Sequence, residues 1–298
     1  MTKSRLSLRN SVKRGLLLNL CLIIFLTHGC SLSTAPSYLK EDIDKAIQDI
    51  CKNEYDIDVK VKLVGSTLWI YLPVEDMFTK ADKPEKYSER FVIEDNKVGF
   101  KDGTLKAEYI IKSTPETEKT QEYKYNKVVL DKINNVWKVL RRVLFSLKRS
   151  REEHEPKFFC LVTADIKNGF ETREIFYYLD LKKVSYEFIS WTEYQHRVLT
   201  DSDISLEAIG DTQGEHLDYR DITLDEFVAS QIQHRIKLKF QKPEVDKNAD
   251  IDKEILKIII YTVKTYNLRD FSYVELDNLL TQSRTILNRA ALWARPTE

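Results

Sequence analysis

Twice along the chain, at 38–73 and at 128–179, an amphipathic helical stretch is followed by two β-rich runs, and 251–288 offers a third helix with one β-rich run as a partial match. In the first, Leu39, Ile43, Ala46, Ile47, Ile50 and Cys51 recur at three- and four-residue steps, the spacing of one buried helix face. Val59, Val61 and Leu63 then alternate up to Gly65-Ser66, beyond which lies TLWIYLPV, so a β-hairpin is expected. In the second, a helix over 128–148 buries Leu130, Ile133, Val136, Trp137, Leu140, Leu144 and Leu147, and KFFCLVTADI and ETREIFYYL flank Lys167-Asn168-Gly169. Asn-Gly between β-rich runs is a strong hairpin signal, because both residues accept the positive φ of a tight turn. In the third, Ile251, Ile255, Ile258, Ile259, Val263 and Tyr266 mark a helix over 251–267 and FSYVEL a strand, while the remainder to Trp293 gives no clear signal. The three units share no residue-level identity, and helix plus hairpin is a common way to cover one sheet face, so recurrence of a motif outweighs duplication. The expected fold class is α+β, with helices packed on mainly antiparallel sheet.

Between these units the signals thin. ERFVIE and AEYIIK are short strand candidates, and the polar segment 112–127 is expected to be an exposed loop or a subdomain boundary. Ser190-Trp-Thr-Glu193 and Thr223-Leu-Asp-Glu226 match the capping box and should start helices over 191–199 and 224–240, with DTQGEHLDYRD between them a loop.

The N-terminus constrains location. Lys3, Arg5, Arg9, Lys13 and Arg14 precede the twelve-residue apolar run at 15–26, the layout of a secretory signal. A helix of that length rises about 18 Å against a hydrocarbon core of about 30 Å, so it is too short to span a bilayer. Loss of those five cations with residues 1–29 leaves 42 Lys and Arg against 47 Asp and Glu, a mildly acidic balance that gives no general pull toward nucleic acid. With 42% hydrophobic and 32% charged residues, 38–298 is expected to be one α+β globular region. Of the cysteines beyond Cys30, Cys51 and Cys160 read as buried free thiols rather than a bridge.

Familiar catalytic patterns are missing. The glycines form neither a phosphate-cradling loop nor a nucleophile elbow, and His154, His196, His216 and His234 have no metal-binding helical spacing. Ser37-Tyr38-Leu39-Lys40 matches S-x-x-K, but Ser37 follows the chain into a helix and reads better as a cap. Glu215-His216-Leu217-Asp218 reads as a solvated loop before a metal site, so no metal or cofactor is expected. The basic run Lys138, Arg141, Arg142, Lys148, Arg149 and Arg151 is a solvated helix face answered by Glu152, Glu153 and Glu155, with membrane headgroups as the alternative target. Eight aromatics fall within 170–194, and core packing with one ring left exposed is expected over a binding patch.

Gly29-Cys30 after the apolar run resembles the signal of bacterial lipoproteins, in which the cysteine sulfur receives a diacylglyceryl group and becomes the acylated first residue. The stretch DIDVKVKLVGSTLWIYLPV at 56–74 is similar to bacterial predicted lipoproteins of unassigned function. Tyr71-Leu72-Pro73-Val74-Glu75 loosely resembles the ring-building modules of secretion and flagellar basal rings. The resemblance implies a signal peptide over 1–29, lipid attachment at Cys30 and a tether over 30–37 of about 25–30 Å at most. It further implies export and anchoring to the cell membrane or to the outer membrane facing the periplasm. The expected role is non-catalytic binding or assembly at the membrane surface, with the membrane itself and an envelope protein as partners. The competing readings are a hydrolase-like envelope enzyme using Asp165, Glu171 or Glu174, and a soluble secreted protein or an oligomeric ring component.

Overall fold

The computed structural model describes residues 42–146, 156–241 and 245–295, and within them the chain is α+β with two mixed, mostly antiparallel sheets. Its elements run α1 (Ile43–Tyr55), β1 (Lys60–Val64), β2 (Thr67–Val74), β3 (Phe78–Lys101), β4 (Thr104–Tyr125) and α2 (Lys127–Phe145). They continue as β5 (Phe158–Asp165), β6 (Phe170–Tyr177), α3 (Tyr178–Ser185), α4 (Trp191–Gln195), β7 (Leu199–Ile204), α5 (Leu224–Gln241), α6 (Ile251–Thr265), β8 (Tyr273–Asn278), β9 (Ser283–Asn288) and α7 (Arg289–Ala294). All three helix-plus-hairpin units are present, as α1-β1-β2, α2-β5-β6 and α6-β8-β9.

The first sheet has the order β1-β2-β5-β6-β7, with its first two hairpins joined through a parallel β2–β5 pair. All eight residues of β5 are buried, because both faces of this central pair are covered. Leu68, Ile70, Leu72, Phe159 and Leu161 face α1 and α2, whereas Trp69, Tyr71, Cys160 and Val162 face a loop over 205–222. Pro73 is tolerated in β2 because pairing with β1 stops at Tyr71, so its missing N–H deprives no neighbour. Cys51 and Cys160 are buried and unbridged, and burial pushes both thiols up to about 12.

The second sheet, β3-β4-β8-β9, repeats the arrangement with a parallel β4–β8 pair. Leu105, Ala107, Tyr109, Val274 and Leu276 pack against α5 and α6. The two halves meet at four rings. Phe158 lies 5.3 Å from Tyr177 and 5.2 Å from Phe227, and Tyr266 lies 5.4 Å from Phe227 and 5.9 Å from Tyr177. Phe158 and Tyr177 come from the first sheet, Phe227 from α5 and Tyr266 from the end of α6, so one aromatic cluster ties sheet to helices.

Three expectations are corrected, and one helix is new. The segment 112–127 is no loop: β4 runs through Tyr125, paired with β3 in a two-stranded ribbon linking the sheets. Its polar sequence hides the strand because residues 115–125 are exposed on both faces, so no alternation is required. Cross-strand pairs Lys86–Glu118, Lys119–Glu89 and Lys124–Asp82 hold it, and Pro84 and Pro115 sit where the register slips. Leu130 is 43% exposed rather than buried. The helix expected over 191–199 ends at Gln195, since Leu199 opens β7 as a fifth strand beside β6. The short helix α3, unforeseen, follows β6 directly.

Removing the ring that bridges both halves tests this packing. Phe227→Ala should lower stability by about 3–5 kcal/mol in urea unfolding, as for other buried aromatic truncations.

Candidate binding surfaces

The corner where α3 meets α4 carries the largest exposed rings. Of the eight aromatics in 170–194, Phe176, Tyr178 and Tyr194 are buried and Tyr177 joins the four-ring cluster. Phe170, Tyr186, Phe188 and Trp191 are exposed, Phe188 to 79%. Four exposed rings replace the one expected. Core-facing positions 178, 181 and 194 leave Leu179, Tyr186, Phe188 and Trp191 pointing outward, and Phe145 at the end of α2 adds a ring 6.3 Å from Tyr186.

Buried charge holds this corner rigid. Asp180 and Arg197 are both buried and bonded at 2.8 Å, and the same guanidinium donates from Nε to Glu193 at 2.8 Å. Glu193 also accepts from the Tyr261 hydroxyl of α6, and the Arg197 carbonyl accepts from Gln231 of α5. The Ser190 hydroxyl caps α4 by accepting from the Glu193 N–H at 3.0 Å. Only half the capping box forms there, because the Glu193 carboxylate is taken by Arg197. At Thr223 both halves form.

Beside the rings runs a basic stripe on α2. Lys138, Arg141, Arg142 and Phe145 are exposed at three- and four-residue steps. Arg142 is answered by Glu54 of α1 at 2.8 Å, and Lys138 donates to Asn135. Lys148, Arg149, Arg151 and the three glutamates expected to answer this run lie outside the described residues, as do Ser37 and Cys30.

The carboxylates of the hydrolase-like reading do not converge. Asp165 accepts from the backbone N–H groups of Met77, Lys167 and Asn168, fixing the hairpin end; burial opposes its charge, but these bonds hold the carboxyl below its usual range. Glu174 faces α2, where burial raises its carboxyl. Glu171, three residues earlier, faces the opposite side of the sheet. Asp165 and Glu174 are thus engaged at separate places along the first sheet, and Glu171 on its other face.

Glu171 meets His216 instead. The imidazole Nδ1 lies 2.5 Å from Asp211 Oδ2 and Nε2 lies 3.3 Å from Glu171 Oε2, all three side chains being nearly buried. Asp211 also accepts from the backbone N–H groups of Gln213, Gly214 and His216. Tyr71 donates to the Asp211 carbonyl, Trp69 to the Arg220 carbonyl, and Asp221 accepts from Ser66 and Thr67. Close packing needs glycine here: Gly65 and Gly214 have φ +59 and +72, and a Cβ would fall 2.4 Å from Asp221 and from the Tyr219 hydroxyl. This constellation straps the 205–222 loop over the sheet. The buried Cys160 nearby carries no thiolate near neutral pH, and among the described residues no group of three ligands could hold a metal ion.

Elsewhere, an open cavity of about 570 Å³ lies where β8 begins and β9 ends, lined by Arg269, Tyr273, Arg289 and Trp293. Nothing in the sequence marked it, because its residues come from separate turns twenty positions apart. Among the described residues no helix is long and apolar enough to cross a membrane.

Asp211 gives the strap a pH dependence. Burial opposes its charge, but the bonds from His216 and the backbone outweigh it and bring the carboxyl to about 2. A depressed carboxyl stabilises the fold above the unfolded value of about 3.9 and loses that contribution as pH falls toward 2. Asp211→Asn should therefore be less stable than the parent by about 2 kcal/mol at pH 6 and converge with it near pH 2, as read by urea unfolding across that range.

Compared with known proteins, the chain matches no protein-family model, and no curated protein or solved structure is significantly similar to it.

Proposed function

We propose that this chain is a lipid-anchored envelope protein, joined to its membrane through Cys30, that works by binding at the membrane surface rather than by catalysis. The observation that supports this reading is the corner of Tyr186, Phe188 and Trp191 beside Lys138 and Arg141. Tyrosine and tryptophan favour the boundary between headgroups and acyl chains, and Lys and Arg favour anionic headgroups. Rings exposed to this degree on one rigid corner bury little in the chain's own core, so their burial awaits another surface.

The tether is long enough for anchor and corner to meet one membrane. Glu54 and Arg142 pair near the C-terminal ends of α1 and α2, so these helices run in the same direction and α1 begins at the end remote from Phe145. A 13-residue helix is about 20 Å long, whereas residues 30–42 reach at most about 45 Å when extended. Positive charge at the corner and lipid at Cys30 would then act as two weak signals, together giving stable attachment where either alone is marginal.

Two comparisons test the reading. Metabolic fatty-acid labelling and membrane fractionation should show label and membrane retention in the parent and loss of both in Cys30→Ala; unchanged labelling would refute the anchor. In the 31–298 fragment, Phe188→Ser with Trp191→Ser should weaken binding to phosphatidylglycerol vesicles at least tenfold, since each ring buried in lipid contributes about 1.5–3 kcal/mol. Equal binding by parent and variant would remove the corner from the account.

A further inference from the structure

We infer that the cavity at the β8–β9 end is a binding site for a phosphorylated small molecule with a flat ring. The basis is charge that the protein leaves unanswered. On the same sheet, Lys106 is met by Glu108, Glu275 and Asp277, and Arg284 by Glu275 and Asp277. At the cavity no such pairing occurs among the described residues. Arg269 donates to the Asn267 side chain and Arg289 to the Arg269 carbonyl, so both lining cations are positioned by neutral acceptors, as is the neighbouring Lys264 by the Arg295 carbonyl. Asp270, next to Arg269, stands near Asp225, whose carboxyl is raised by burial first and by this neighbour second, and no carboxylate is among the residues lining the cavity.

The rest of the lining supplies flat aromatic surface and polar side chains. The Arg269 guanidinium lies 5.1 Å from the centre of the Trp293 ring, which places one lining cation against the aromatic wall, and the Lys264 ammonium lies 5.9 Å from the same ring outside the lining. Trp293 Nε1 is buried without a hydrogen-bond partner, so the ring meets the cavity through its carbon surface. Tyr273, half exposed, adds a second aromatic ring to the lining, and Ser272 and Asn288 add polar side chains. Two guanidinium groups suit the paired oxygens of a phosphate dianion, and Tyr273 and Trp293 suit a ring held by stacking. A volume of about 570 Å³ accommodates a ligand of that size. This site lies on the second sheet and does not depend on the membrane reading of the α3–α4 corner.

Titration of the full chain in neutral detergent with phenyl phosphate, inorganic phosphate and benzoate, followed by tryptophan fluorescence, tests the inference. Phenyl phosphate should give a saturable change, inorganic phosphate should bind more weakly, and benzoate at least tenfold more weakly. Arg269→Ala with Arg289→Ala should weaken phenyl phosphate at least tenfold, and Trp293→Phe should remove most of the fluorescence signal while the protein still binds by calorimetry. Both arginines are exposed, so circular dichroism of the double variant should match the parent. Phosphatidylglycerol vesicles form a separate arm: competition with phenyl phosphate would assign the site to a lipid headgroup, and its absence to a soluble ligand. No saturable binding, binding unchanged in the double variant, or benzoate as tight as phenyl phosphate would overturn the inference.

Discussion

Four rings from three parts of the chain, Phe158, Tyr177, Phe227 and Tyr266, decide whether this protein is one body or two. Each sheet could cover one face with its own helices, α1 and α2 for the first, α5 and α6 for the second. What joins them is the end of the first sheet's other face, where Phe158 and Tyr177 project into the core beneath α5 and α6. The buried Arg197 network lies along the same seam, linking α3 and α4 to Gln231 and Tyr261. Removing one partner of such a network would leave an uncompensated charge in the interior, so its members hold one arrangement and the α3–α4 corner is fixed in place. The rigidity of that surface is thus inherited from packing on its hidden side.

Much of this architecture is legible from periodicity. Ile43, Ile47, Ile50 and Cys51 announce α1, and Asn168-Gly169 announces the β5–β6 turn, because in each case burial on one side forces a repeating pattern. Where no burial acts, the pattern vanishes. The outer ribbon of β3 and β4 is made of charged pairs exposed on both faces, and such a strand is indistinguishable in sequence from a polar loop. The charges also discourage pairing with other chains along a long open edge. Strand β7 was hidden for the same reason, since Thr200 to Ile204 are exposed and only Leu199 is buried.

The sites divide along similar lines. His216 and Glu171 stood out singly, but their meeting depends on a loop folding back across 45 positions, which no local signal encodes. Asp211 and Asp221 looked like ordinary loop acids; the Asp211 carboxylate binds backbone donors within the loop while its carbonyl accepts from Tyr71 of β2, and Asp221 binds the Ser66 N–H and the Thr67 hydroxyl, clamping the loop to the start of β2. The aromatic run at 170–194 was visible, yet alternation along β6 and the helical turns of α3 sort its rings between core, seam and surface only once the fold is known. Three separate surfaces result: a strapped loop that closes one sheet face, a corner of rings beside lysine and arginine, and a cationic cavity at the far sheet. Only the second bears on the proposed membrane anchor.

The claim that this corner meets the lipid is tested most directly by depth. A spin label placed at position 188 through Phe188→Cys, on vesicles carrying the acylated chain, should be accessible to oxygen and shielded from a water-soluble nickel reagent. A label at Ile209, on the strapped loop, should show the reverse. Equal exposure of both labels to the aqueous reagent would contradict the account.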